Sequence, residues 1–171
     1  AKAAGAEALI VDGHFDESVN ARRAIKTLAW TPRLYYATVG PAVDKYVETL
    51  KQDAEGTLTS TLWEPRLRYP GSAAFLDAYQ KAWAMSPSYQ AALAYAGGQV
   101  LEDAAKHAGS MDRSRIAQAL QNMNSMTILG RYGVDATGKQ LRQQSFIAQW
   151  INGRREIVHP KTLATKTPLI R

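Results

Sequence analysis

The first sixty residues alternate between two hydrophobic rhythms. "ALIVD" at 8–12 is a continuous apolar run closed by Gly13, too short for a helix. Such a run predicts a buried parallel strand. Residues 16–29 change period: Val19, Ala21, Ile25 and Leu28 approximate one helical stripe. Asp16 and Glu17 open this segment and basic residues follow, which suits a helix dipole. "RLYYAT" at 33–38 reads as a second strand, and 40–56 as a helix with Pro41 in its first turn and Gly56 past its end. "TLTSTLW" at 57–63 reads as a third strand. This order predicts an α/β sheet with parallel strands. Ligands of such sheets sit beyond the carboxyl ends of the strands, here the loops Asp12–Asp16, Thr38–Pro41 and Trp63–Arg66.

The middle of the chain is helical throughout. Residues 72–84 place Phe75, Leu76, Tyr79 and Trp83 on one face, and 112–123 reads as a further helix. Between them, 86–109 predicts a helix opened by Ser86 and Pro87 and closed by Gly109. Its first half is apolar all round as far as Gly98, so it calls for cover on every side, and Gly97-Gly98 would admit a close backbone. Helices with no strand between them predict that they cover a sheet lying elsewhere. Strands then return. Residues 126–141 hold an extended stretch with a turn at 136–139, and Asn152-Gly153 between two apolar runs predicts a two-residue hairpin. "TLATKTPLIR" reads as a polar tail.

Composition narrows the classes. The 171 residues are 46% hydrophobic and 21% charged, a globular balance, and no run approaches a membrane helix. There is no cysteine, which excludes disulfides and thiolate metal sites. The net charge of +6 invites a nucleic-acid reading, yet the basic residues are scattered. The densest group, Lys139, Arg142, Arg154 and Arg155, surrounds two turns without interleaved aromatics, so no nucleic-acid partner is expected. His14, His107 and His159 lie far apart and show no metal-ligand spacing. No nucleophile elbow, phosphate loop or dinucleotide fingerprint occurs, so neither an enzyme nor a cofactor is expected. Tyr35, Tyr36, Tyr89 and Tyr95 read as core or cleft wall.

Several stretches together carry a resemblance. "KAAGAEALIVDG", "DAEGTLTSTLWEP", "FLDAYQKAW", "SPSYQAALAYAGGQVLEDA", "GRYGVDATGKQL" and "IAQWINGRREIVHP", in this order, resemble the type I extracytoplasmic solute-binding proteins of ABC importers, the branched-chain amino acid or Leu/Ile/Val-binding group. The resemblance covers nearly the whole chain and matches the C-terminal half of a full member. It implies two Rossmann-like α/β lobes with parallel sheets, three crossovers and a ligand in the cleft between them. Residues 1–61 would be part of the second lobe, 62–142 the return segment of the first lobe, and 143–171 the final crossing with its hairpin and tail. The helix at 86–109 would then pack on a first-lobe sheet outside this sequence.

The resemblance also implies a ligand site, taken residue by residue. His14 or Phe15 stands where the family has an aromatic wall. Thr38 stands where amino-acid binders carry a carboxylate for the ligand ammonium. A neutral hydroxyl cannot make that charge-assisted bond. Asp16 could replace it from the neighbouring loop, or the ligand lacks an ammonium, as an aromatic or aliphatic carboxylate does. Tyr89 could face the cleft. The expected partners are a small molecule, a membrane permease, and the N-terminal half of the same protein or a second chain. The expected location is the periplasm, after removal of a signal peptide. The alternatives are a ligand-sensing regulatory domain of the same fold and a fragment of an α/β enzyme.

Overall fold

The computed structural model describes residues 1–170. The chain forms two compact units: residues 1–61 with those from Phe146 onward, and residues 62–145.

The first unit is built on a five-stranded sheet. Strands β1 (Ala8–Val11), β2 (Leu34–Ala37) and β3 (Leu58–Thr61) run parallel, and the hairpin β6 (Phe146–Ile151) and β7 (Arg154–His159) continues the sheet antiparallel. The order is β1-β2-β3-β6-β7, so β1 is an edge. The expectation of a buried first strand is corrected: Ile10 is 69% exposed. Helix α1 (Phe15–Thr27) connects β1 to β2, and Ile25 packs on Tyr35 and Ala37.

The helix expected over 40–56 is broken into a 3-10 turn at Gly40–Ala42, helix α2 (Lys45–Leu50) and a second 3-10 turn at Lys51–Ala54. Val43 is extended and Lys51 has φ 53°, which interrupts the helix at both ends. Tyr46 and Leu50 still deliver an apolar face, packed with Val19, Ala54 and Trp150. The indole N–H of Trp150 donates to the Pro41 carbonyl at 2.9 Å, tying the hairpin to the loop after β2. Asn152 and Gly153 both take positive φ, 53° and 70°, as a type I′ turn requires. The polar tail is anchored. Gln149 donates to the Leu169 carbonyl and accepts from its N–H, each at 2.8 Å, while Thr165 donates to Glu156.

The second unit holds α3 (Ser72–Trp83), α4 (Tyr89–Ala108) and α5 (Arg113–Asn122), with a small ribbon of β4 (Ser125–Thr127) and β5 (Gly130–Tyr132). The ribbon's two turn residues, Ile128 and Leu129, are buried with Trp63, Phe75, Ala92 and Ala96. Burying an Ile, Leu or Phe side chain stabilises by roughly 1.5–3 kcal/mol. Helix α4 starts later than expected. Its cap is Ser88, which accepts from the Ala91 N–H at 3.3 Å, rather than Ser86 and Pro87. Nor is α4 covered all round. Ala92, Ala96 and Ala104 are buried, but Tyr95 and Leu101 are about half exposed, at 49% and 54%. A Cβ at Gly97 or Gly98 would meet nothing within 4 Å, so no backbone of the described residues makes the expected close approach.

Candidate functional site

The carboxyl ends of β1 and β2 open into two loops that hold each other in place. Asp12, Gly13 and His14 lead from β1 into α1, and Thr38 to Ala42 leave β2. The Thr38 hydroxyl donates to the Gly13 carbonyl at 2.7 Å and accepts from the Gly13 N–H at 3.0 Å. The Thr38 N–H bonds the Val11 carbonyl at 3.1 Å, and the Thr59 hydroxyl of β3 donates to the Thr38 carbonyl at 2.6 Å. Three strands thus converge on one loop. A hydroxyl has a single proton. Thr38 spends it on Gly13, which ties the two loops together.

Two glycines tighten the same corner. A Cβ at Gly40 would lie 2.6 Å from the Ser18 Cβ and 3.3 Å from the Phe15 Cα. One at Gly13 would lie 2.9 Å from the Glu17 Cβ. The start of α1 is locked as well. His14 closes a capping box with Glu17, whose carboxylate accepts from the His14 N–H at 3.1 Å, and the buried Ser18 hydroxyl donates to the His14 carbonyl at 2.7 Å.

The side chains expected at the site divide by environment. His14 and Asp16 are exposed at the rim. Phe15 is half-buried and packs on the cluster of Val19, Tyr46, Leu50 and Trp150, with the Lys45 ammonium 5.0 Å above its ring. Lys45 is the residue that sequence reasoning missed. It adds a cation beside the aromatic ring, at the start of α2. The break at Val43 sets this start, and no periodicity signals it. Asp44 is paired with Arg155 at 3.2 Å, and the Arg155 guanidinium lies 5.5 Å from the Trp150 ring centre. Tyr89 belongs to the second unit, as the first residue of α4, half-buried against the Trp63 and Phe75 cluster.

Elsewhere in this unit, a cavity of about 240 Å³ sits at the opposite, amino ends of the strands. Its charges are engaged: Arg22 donates to the carbonyls of Asp53 and Glu55, and Lys26 pairs with Asp53 at 2.7 Å. Burial raises the hydroxyl pKa of Tyr35, which lines this cavity, and likewise that of Tyr46; both stay neutral donors at ordinary pH. Among the described residues no cluster of three metal-binding side chains occurs, and no helix is long and apolar enough to cross a membrane.

Parallel strands whose carboxyl-end loops bond one another form an α/β architecture, and sheets of this kind bind ligands beyond those ends. The chain belongs to the periplasmic binding protein family, whose model matches residues 1–155, and its fold is that of the type I members. The family is one of substrate-binding proteins for ABC transporters and not of enzymes. Similar solved structures include a leucine binding protein of Thermotoga maritima, at 25% identity and TM-score 0.75, covering 88% of this chain and 43% of that one. A branched-chain amino acid transporter substrate binding protein of Streptococcus pneumoniae, solved with isoleucine, matches at 21% identity and TM-score 0.76, covering 90% and 45%. A solute binding protein of an ABC transporter from Rhodopseudomonas palustris, solved with 3,4-dihydroxybenzoic acid, matches at 18% identity and TM-score 0.70, covering 90% and 44%. The chain therefore spans less than half the length of each.

Proposed function

We propose that the protein carrying this chain is the periplasmic substrate-binding component of an ABC importer, made with a signal peptide. It captures a small hydrophobic or branched-chain amino acid, or a related small carboxylate, between two lobes. It delivers the closed form to a membrane permease. Residues 1–61 and 143–171 contribute to the second lobe and 62–142 to the first, which an N-terminal half of the same protein completes. The observation that carries this reading is the pair of mutually bonded loops at the carboxyl ends of β1 and β2, in a chain of this family. Its rim offers His14, Phe15 and Asp16, with Thr38 holding the loops, and Tyr89 contributes from the first lobe. Closure follows from the extra contacts a ligand makes in the closed state.

A second reading of the ligand, a carboxylate without an ammonium, is supported by one feature. The Thr38 hydroxyl is committed to Gly13, while Lys45 stands over the Phe15 ring as a cation. Thermal-shift and calorimetric titration of the full-length protein with leucine, isoleucine, valine and 3,4-dihydroxybenzoate test both readings. A rise in melting temperature with the aliphatic amino acids supports the first. A response to the aromatic acid alone supports the second. No response to any of these sinks the proposed function.

A further inference from the structure

The hairpin of β6 and β7 grips the loop after β2 at two points. Trp150 is fixed by its own backbone, which donates to the Thr57 carbonyl at 3.0 Å and accepts from the Gly56 N–H at 2.8 Å. Its side chain is 2% exposed and lies in the cluster on which Phe15 packs. In the stretch after β2, the carbonyls of Val39, Gly40 and Val43 accept from backbone N–H groups three residues on. That of Pro41 accepts instead from the buried Trp150 indole, at 2.9 Å. Arg155 stands opposite Trp150 on β7. Its guanidinium lies 5.5 Å from the Trp150 ring centre and 3.2 Å from the Asp44 carboxylate. Pro41 and Asp44 flank the extended Val43, where the 3-10 turn ends and after which α2 begins at Lys45. The hairpin therefore holds both sides of the break that places Lys45 beside Phe15.

We propose that Trp150, with Arg155 beside it, is a positioning residue of the ligand site. It holds residues 40–45 in the conformation that a ligand meets, without touching the ligand. The inference rests on the proposed site at the carboxyl ends of β1 and β2. The loop is already confined on its other sides: Thr38 is bonded to Gly13, and Gly40 is pressed against Ser18. The indole closes the remaining side. Without its N–H the buried Pro41 carbonyl is stranded, and a stranded buried acceptor drives its segment toward water. A loop that must be re-ordered on binding subtracts that cost from the affinity. A phenylalanine ring fills most of the same volume and donates nothing.

The test compares Trp150→Phe in the full-length protein with the parent and with Ile25→Val, which trims the core at the other end of α1. Leucine, isoleucine, valine and 3,4-dihydroxybenzoate are titrated by calorimetry, and hydrogen exchange is followed at the Val43 and Tyr46 amides without ligand. Trp150→Phe is expected to speed exchange at both amides roughly tenfold and to weaken the binding of whichever probe the parent takes by roughly tenfold. Ile25→Val is expected to lower the urea midpoint and leave both readouts within about twofold. If the two variants instead lose affinity in proportion to stability, Trp150 is merely structural and the proposal is overturned. Unchanged exchange at Val43 and Tyr46 overturns it too, as does fast exchange there with the parent's affinity. If Trp150→Phe does not fold, exchange in the parent decides. A Trp150 indole proton and a Val43 amide that open together, and are slowed together by the bound probe, support the proposal. An indole proton that exchanges as in free tryptophan, or that the probe leaves unmoved, overturns it. A parent that binds none of the four probes defeats the proposed function and this inference with it. A parent that binds, with a Trp150→Phe variant that binds equally well, defeats this inference alone.

Discussion

Replacing Thr38 with valine removes one oxygen and keeps the shape of the side chain. Two hydrogen bonds disappear, those to the Gly13 carbonyl at 2.7 Å and from its N–H at 3.0 Å. Each bond of this kind contributes about 1 kcal/mol net, and stranding a buried partner costs more. Thr38 is half-buried, so water reaches part of the gap. The expected loss is about 1–2 kcal/mol, a fall of roughly 2–8 °C in melting temperature for a domain of this size. Thr38→Ser keeps the hydroxyl and should lose well under half as much. The assay is urea unfolding of the full-length protein for both variants, followed by calorimetry with whichever ligand the parent binds. If Thr38 only braces the loops, valine weakens binding through loop disorder, and serine restores affinity and stability together. A Thr38→Val protein with the parent's unfolding midpoint would refute the brace. Serine that recovers stability but not affinity would show that the threonine methyl touches the ligand.

Gly40→Ala forces a Cβ to within 2.6 Å of the Ser18 Cβ and 3.3 Å of the Phe15 Cα, and should cost about 1–3 kcal/mol in a thermal melt; an unchanged melting temperature would mean that the loop yields freely. Gln149→Leu removes the bonds to Gly56 and to both backbone groups of Leu169, so destabilisation of about 2–3 kcal/mol and fast exchange at the Leu169 amide are expected. Tyr35 and Tyr46 ionise above their usual value of 10 chiefly because they are buried, so the stability linked to their neutral forms is complete below pH 10 and is lost as pH rises through the raised folded-state values. Ultraviolet titration of the eight tyrosines should therefore show a late fraction that coincides with alkaline unfolding, and a single transition near pH 10 in the folded protein would contradict it.

Much of the fold was legible because its signals are local. The apolar runs of β2 and β3, the stripe of α1 and the Asn152-Gly153 turn depend on residues a few positions apart, and the structure places each within a residue or two. The break-up of 40–54 was not legible, because the extended Val43 and the left-handed Lys51 answer to the packing of Tyr46 and Leu50 on Val19 and Trp150. The Ser88 cap was hidden behind an equally good serine two positions earlier. Of the site, the loops after β1 and β2 could be located from strand order alone, but not the roles within them. The Thr38 hydroxyl donates to Gly13 across the loop, a bond that no local pattern signals. Lys45 has no motif, and only the fold of α2 over α1 brings it to Phe15.

By itself, then, the sequence determined which segments form strands and helices, the type of the hairpin turn and the end of the sheet where loops gather, since period, capping and turn chemistry act over a few residues. Tertiary structure alone decided that β1 is an edge, that the tail is pinned by Gln149, and that Ile10 faces solvent while Ala37 is buried. An apolar residue reads the same in a bare strand as in a covered one. Burial belongs to the neighbours a strand acquires, and these come from residues far away along the chain.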